Sequence, residues 1–379
     1  MRFIHLSDLH LGKRLGEYSL REDQEYILGK IVEIIDDETP DAVLIAGDIY
    51  DRSVPGEEAM VLWDDFLNEL MRRKVQVYAI SGNHDSAVRF ADHSRLIEHT
   101  GIHLSPTYEG SAARYEMKDE YGSVFIYLLP FIKPVSVRRF FEGGEADTYT
   151  DACAAAVSRM GVDTSARNVI LAHQFVTGAE RCESEEVSVG GLDNVDASVF
   201  DPFDYVALGH IHGPQHVGRE TMRYCGTPLK YSFSEREHEK SVTVVDMGKK
   251  GDIEIRTREL KPLHDMRRIR GTYEELSDRR KYEGTETGDY IHAVLTDDDE
   301  IPDAMSKLRL IYPRILLLTY DNKRTAAEGR VEDIGYDEHK SPVTLFEEFY
   351  EVQNGSPMSP DQKKLVTDLI EEIWEGGRS

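Results

Sequence analysis

Asp41-Ala-Val-Leu-Ile-Ala-Gly-Asp-Ile-Tyr-Asp-Arg52 is the stretch that decides the fold. Its apolar run, Ala42–Ala46, is long enough for a buried strand and too short for a helix. Gly47 ends the run and Asp48 follows it. A carboxylate just past the carboxyl end of a buried parallel strand points into the crevice where open α/β sheets bind ligands. Working outward, four more stretches repeat this design. Arg2–Leu6 precedes Asp8 and His10, and Val75–Ile80 runs into Ser81-Gly82-Asn83-His84-Asp85. Val169–Ala172 meets His173, and Tyr205–Leu208 meets Gly209-His210-Ile211-His212. Asp48 is therefore expected to bridge two metal ions.

The candidate ligands are Asp8, His10, Asp48, Asn83, His173, His210 and His212. A mix of carboxylate, amide oxygen and imidazole without thiolate favours Mn²⁺, Fe²⁺ or Zn²⁺ in an open site over a structural zinc. Two such ions can activate water and neutralise a phosphate. D-x-H or G-H-x-H alone is weak, and a lone histidine after a strand is usually structural. Gly82-Asn83-His84-Asp85 is stronger, because an Asn-His pair at a strand end has no packing rationale. All five in order, each at a strand end, are hard to obtain by chance. His5, His93, His99, His103 and His264 lack this context and are expected in the core or on the surface.

The chain has 379 residues, 40% of them hydrophobic, which suits a globular protein of about two or three domains. It contains no apolar run approaching the ~18 residues of a membrane span. Asp8 and His10 sit where a signal peptide would be apolar. Cys153, Cys182 and Cys225 are scattered, odd in number and outside any C-x-x-C, which fits a reducing cytoplasm. A net charge of −26 argues against a polyanion substrate, since nucleic-acid binding usually leaves a basic footprint. Bound divalent ions reverse the sign locally.

Periodicity predicts helices over Leu20–Ile35, Glu57–Met71, Phe90–His99 and Thr148–Met160, interleaved with strands, and short strands from Arg223 to Arg258. The apolar face of Glu57–Met71 covers about half the wheel, wider than a one-sided surface helix needs. Either the helix is deeply packed within its own chain or, as expected with Phe90–His99, it lies in a homodimer interface. The pattern changes near Pro262. Met266–Arg270, Tyr273–Arg280, Tyr290–Leu295, Pro302–Ile311 and Ile315–Tyr320 alternate β, α, β, α, β. Polar residues up to Lys340 form a linker, and two amphipathic helices close the chain. Ser341-Pro342 and Ser359-Pro360-x-Gln362 start those helices, the second with a capping box. The expected organisation is residues 1–262, a small unit 263–322, a linker 323–340 and a helical arm 341–379.

Together the five motifs resemble the full set of the calcineurin-like metallophosphoesterases. Within them, Gly226-Thr227-Pro228-Leu229-Lys230-Tyr231-Ser232-Phe233 and the later β/α unit resemble the SbcD family of bacterial nuclease subunits. The resemblance implies a four-layer αββα sandwich with a small α+β capping domain and the helical arm. It implies one ion on Asp8, His10, Asp48 and His212, and another on Asp48, Asn83, His173 and His210. His84 would contact the scissile phosphate and protonate the leaving oxygen, a general-acid role that imidazole suits. Asp51 could orient His84, and Arg52 could grip a phosphate oxygen or pair with a surface carboxylate. The implied enzyme is a Mn²⁺-dependent 3′→5′ exonuclease and single-strand endonuclease acting on DNA, cytoplasmic and nucleoid-associated. An SbcC-type SMC-like ATPase partner would drive it, since the chain has no G-x-x-x-x-G-K-[ST] of its own. Candidate DNA contacts are Arg138-Arg139, Arg267-Arg268-Arg270 and Arg279-Arg280-Lys281, each of which is otherwise a solvated face. The alternatives are a phosphodiesterase or phosphatase acting on nucleotides or phosphoproteins, and a scaffold that has lost its chemistry. The extra domain and arm speak against the first, and the intact ligand set with His84 against the second.

Overall fold

The computed structural model describes residues 1–141, 146–182, 185, 193–322, 342–354 and 357–376. The chain divides into two units, Met1–Asp265 and Met266–Ser379. Two six-stranded sheets form the first. One runs Ile253–Glu259, Ser241–Met247, Arg2–Leu6, Ala42–Ala46, Gln76–Ile80, Ile102–Leu104 in spatial order. The other runs Gln215–Val217, Arg219–Tyr224, Tyr205–Gly209, Arg167–His173, Gly122–Leu129, Ala113–Asp119.

Strict alternation along each strand builds the layers. Phe3, Leu44, Tyr78, Val124, Ile126, Val169, Leu171 and Tyr205 meet between the sheets in one dry core. The opposite face of the second sheet, with Tyr127, Ile170, Val206 and Leu208, packs on Ala152, Cys153 and Ala156 of the Tyr149–Ser158 helix. Arg21–Glu38 and Glu57–Arg72 cover the first sheet, burying Ile27, Ile31, Leu62, Trp63 and Phe66. The αββα sandwich is thus the observed architecture.

Ala42–Ala46 lies between Arg2–Leu6 and Gln76–Ile80, parallel to both. Arg167–His173 is likewise parallel to Gly122–Leu129 and Tyr205–Gly209, with His173 opposite Gly209. Parallel registers bring the carboxyl ends of these strands, and so all five motif loops, to one side of the sandwich.

The predicted Phe90–His99 helix is not continuous. Ala87–Phe90 and Ser94–Ile97 are single turns followed by a 3₁₀ turn at Glu98–Thr100. His93 takes a left-handed φ of 60°, which stops propagation. The expected partner helix of the dimer face is therefore a broken segment. The wide apolar face of Glu57–Arg72 is explained mainly by its own chain, because Leu62 and Phe66 are buried. Met60, Val61 and Met71, 53%, 52% and 37% exposed, are its outward apolar residues.

In the second unit Met266–Gly271, Tyr290–Leu295 and Ile315–Tyr320 form an all-parallel sheet. The unit expected as α+β is thus a pair of βαβ crossovers. Leu276, Ile291, Ala293, Leu308, Tyr312 and Ile315 make its core. The helix predicted over Tyr273–Arg280 breaks at Asp278, whose carboxylate caps a second turn, Arg279–Tyr282. Pro342–Asn354 and Pro360–Gly376 are helical. Ser359 and Gln362 form the predicted capping box, while Ser341 and the linker 323–340 lie outside the described residues.

Candidate metal centre

Four of the seven candidate ligands hold left-handed backbone: Asp8 at φ 53°, His10 at 44°, Asp48 at 49° and His210 at 103°. Non-glycine residues avoid this region, and its use clusters at functional loops. Backbone bonds hold it here, from Asp8 N to Gly47 O (2.9 Å), His10 N to Asp48 O (3.0 Å) and Leu11 N to Ile49 O (2.9 Å). The loops touch so closely that three positions must be glycine, Gly209 among them, where a Cβ would run into the Ala46 carbonyl. A Cβ on Gly47 (φ 92°) would run into the His173 ring, and one on Gly82 into the Asp48 carboxylate. Asp85 accepts from Ile49 N (3.1 Å), Tyr50 N (3.0 Å) and Gly82 N (2.9 Å), locking the Asp48 loop to the Asn83 loop. Burial, with Asp48 nearby, pushes its carboxyl up to about 6.

Asp48 stands at the centre. Its Oδ2 lies 3.3 Å from His173 Nε2, 3.7 Å from His10 Nε2 and 3.9 Å from His84 Nε2, while Oδ1 accepts from His84 N (2.9 Å). On one side Asn83 Oδ1 faces His173 Nε2 at 3.0 Å and His210 Nδ1 at 2.9 Å. On the other, donor atoms of Asp8, His10 and His212 lie within 4.8 Å of one another. The Asp8 carboxylate also accepts from His210 N at 3.1 Å, which joins the first motif to the last. All seven predicted ligands therefore converge.

The electrostatics call for cations here. Burial pushes Asp8 up to about 6. Burial alone would raise Asp48 too, but the surrounding imidazoles hold it well below the usual carboxylate range. Burial works against a charged His173, yet Asp48 beside it outweighs that and pushes it up to about 9. Burial drives His10 far below the usual imidazole range and His210 down to about 3. Both ring nitrogens of His10 are buried without a hydrogen-bond partner among the described residues. A buried neutral imidazole flanked by carboxylates and left unpaired is the donor a divalent ion takes. The residues thus fit metal.

His84 Nδ1 donates to the carbonyl oxygen of Asp51 at 3.0 Å, so Asp51 orients it through its backbone. The Asp51 carboxylate instead pairs with Lys13 at 2.8 Å. Arg52 is exposed and lies 3.8 Å from Asp51. His10, Asp48 and His84 also form a ligand-like group, so geometry alone leaves His84 within reach of an ion.

The structure adds residues that sequence reasoning missed. Buried Glu235 accepts from His212 Nδ1 (3.2 Å) and from Lys240 Nζ (2.6 Å). Lys240 also donates to His212 O (2.9 Å) and Thr227 Oγ1 (2.6 Å). Glu185 accepts from His212 N at 2.7 Å. Such outer partners fix the tautomer and orientation of a ligating histidine. Burial opposes charge on His212, but its bonds to Cys182 and Glu235 push it up to about 10. The Gly226–Phe233 stretch thereby gains a role, since Thr227 belongs to this network and Tyr231 donates to Leu9 O at 2.5 Å. Gln24 secures the first loop through His10 O (2.7 Å) and Gly12 N (3.0 Å). The only sequence signal for these was the resemblance at Gly226–Phe233.

Most basic clusters are locally neutralised. Arg138 pairs with Asp147, Arg267 with Asp289, Arg270 with Asp321, Arg279 with Glu283, Arg280 with Asp278 and Lys281 with Glu275. The histidines set aside are structural or peripheral: His5 bonds Tyr205, His103 stacks on Tyr78 and His264 pairs with Asp23. No helix among the described residues is long and apolar enough to cross a membrane.

A family model described as calcineurin-like phosphoesterase matches residues 1–214. One described as the type 5 capsule protein repressor C-terminal domain, SbcD_C, matches 262–354. The SbcD subunit of the nuclease SbcCD from Staphylococcus epidermidis is 30% identical over 99% of both chains. Its counterpart from Staphylococcus saprophyticus is 31% identical over 100% of both. Among solved structures, a dimetal phosphatase from Danio rerio aligns at TM-score 0.40 and 13% identity, over 69% of this chain and 96% of that one. The first family model spans more than half of the chain, the SbcD relatives match its whole length, and the chain belongs to the calcineurin-like phosphoesterases, in the SbcD family of SbcCD nuclease subunits, as a metal-dependent phosphoester hydrolase.

Proposed function

We propose that this chain is the nuclease subunit of an ATP-dependent complex that processes DNA double-strand breaks and hairpins, hydrolysing DNA phosphodiesters with two divalent ions, Mn²⁺ foremost. The observation that carries the reading is Asp48, whose single carboxylate faces His10 on one side and His173 on the other. Asp8, His10, Asp48 and His212 would hold one ion; Asp48, Asn83, His173 and His210 the other. Bound there, the ions supply phosphate neutralisation and an activated water.

The chain's own residues do the rest. The Asp51 carbonyl fixes the His84 ring through Nδ1 and turns Nε2 toward the site. In its protonated form His84 gives the Nε2 proton to the leaving oxygen as the P–O bond breaks. Asp85 holds the two loops in register, and Glu235 holds His212.

The relatives' names speak of a larger complex, and the arm offers a surface for an SbcC-type ATPase. Its two helices contact each other, yet Phe346, Phe349, Leu365 and Leu369 stay 41–60% exposed. Apolar surface of this kind marks interaction sites. Truncation after Lys340 is expected to abolish co-purification with the ATPase and to spare single-strand cleavage. Homodimerisation through Glu57–Arg72 is supported by the exposed Met60, Val61 and Met71. A cytoplasmic, nucleoid-associated setting follows from the substrate.

The decisive assay is Mn²⁺-dependent digestion of end-labelled linear DNA beside a chromogenic bis-ester. Hydrolysis of both is expected. Activity on the bis-ester with none on DNA, even with the ATPase partner and ATP, would favour a nucleotide or phosphoprotein esterase.

A further inference from the structure

Where the edges of the two sheets part, a crevice of about 780 Å³ opens, lined by Arg181, Gly213, Arg223, His238 and Thr257. It starts at Gly213, the residue after His212, with His238 packed over that glycine. Arg223 comes from Arg219–Tyr224 of one sheet and Thr257 from Ile253–Glu259 of the other.

Three groups in this crevice lack what buried polar groups normally have. Arg223 Nε, Arg181 Nε and His238 Nδ1 are buried without a hydrogen-bond partner among the described residues. Arg223 also forms no ion pair with any described residue, in a chain of net charge −26 whose other arginines mostly do. Among the described residues Arg181 pairs with Asp193 at 2.8 Å, and its plane lies on Phe175. Glu180 and Glu239 belong to the exposed rim; Gln215 takes the Glu180 backbone N–H (2.8 Å) and C=O (2.8 Å). Two guanidiniums and an imidazole around a polar cavity fit a tetrahedral oxyanion, and the planar arginine fork matches phosphate.

We propose that this crevice is a phosphate subsite anchored by Arg223, with His238 and Arg181 as its further donors. The inference rests on the nuclease reading. The phosphate belongs either to the nucleic-acid strand running past the metal centre or to a released 5′-mononucleotide.

The test uses the full chain in chelator, so that binding is read apart from hydrolysis. Fluorescence anisotropy of a short labelled single strand is followed from about 50 to about 200 mM salt. Arg223→Gln is expected to weaken binding about tenfold and to lower the slope of log K against log salt by about 0.7–1. Arg223→Lys keeps most of the slope. Competition by a 5′-mononucleotide that Arg223→Gln abolishes assigns the site to the product; an effect on the strand alone assigns it to an internucleotide phosphate. Should Arg223→Gln fail to fold, His238→Gln carries the same comparison. Unchanged strand affinity and slope, together with unchanged competition by the 5′-mononucleotide, in every folded variant would overturn the subsite. If the wild-type chain neither binds the strand nor cuts DNA, the nuclease reading fails first. Direct titration with inorganic phosphate then decides the crevice: saturable binding lost in Arg223→Gln supports it, and none overturns it.

Discussion

Replacing Glu235 by Gln keeps the shape of the side chain and removes its charge. Glu235 is fully buried, 2.6 Å from Lys240 Nζ and 3.2 Å from His212 Nδ1. Removing one partner of a buried pair leaves the other charge uncompensated, at a cost of about 3–5 kcal/mol. The amide still accepts one hydrogen bond, so about 3 kcal/mol is expected. At ~2–4 °C per kcal/mol for a unit of this size, the melting temperature should fall by about 6–12 °C. His212 also loses the carboxylate that orients it, so Mn²⁺ affinity should fall about 10–100-fold. Calorimetric melting in chelator isolates the first effect, and Mn²⁺ titration measures the second. Glu235→Gln with Lys240→Met should recover most of the stability, because no buried charge remains, and little of the affinity. An unchanged melting temperature in chelator, with unchanged Mn²⁺ affinity, would refute the role given to this network.

Three further outcomes follow from the same geometry. His84→Ala should abolish hydrolysis while two ions still bind; loss of one ion per chain on metal analysis would make His84 a ligand instead. Hydrogen bonds from Arg256, aided by Arg258, hold Glu38 down to about 2 against an ordinary 4.5. Its folded pKa is depressed, so its stabilisation is complete above about 4.5 and is lost as pH falls from there toward 2. Glu38→Gln should therefore melt lower than wild type at neutral pH, with the gap closing over that window; a constant gap in a pH series of melts would contradict it. Met60→Glu with Val61→Lys should give a folded monomer by light scattering, and a wild-type chain already monomeric at micromolar concentration would dismiss the dimer.

The sandwich was legible because each central strand is a short apolar run stopped by a glycine or a polar side chain. Ala42–Ala46 before Gly47-Asp48 is the clearest case, and parallel registers then carry every motif to one side. The convergence of the candidate ligands was legible for the same reason: each follows its strand within a few residues. Glu235 and Lys240 were not, since they meet His212 only through tertiary contacts that no local pattern encodes. Helix breaks at His93 and Asp278 escaped for a different reason. Apolar spacing continues through both, while a left-handed residue and an N-cap decide the backbone. The wide face of Glu57–Arg72 is not decided by its pattern, because burial within the chain and exposure to a partner leave the same apolar periodicity.

The central claim is that two ions share Asp48. Metal titration of Asp48→Asn, with wild type alongside, tests it most directly. Two Mn²⁺ per wild-type chain and simultaneous weakening of both sites in Asp48→Asn are the expected result. Weakening of one site alone, with the other at wild-type affinity, would show that Asp48 is not the bridge and would contradict the account.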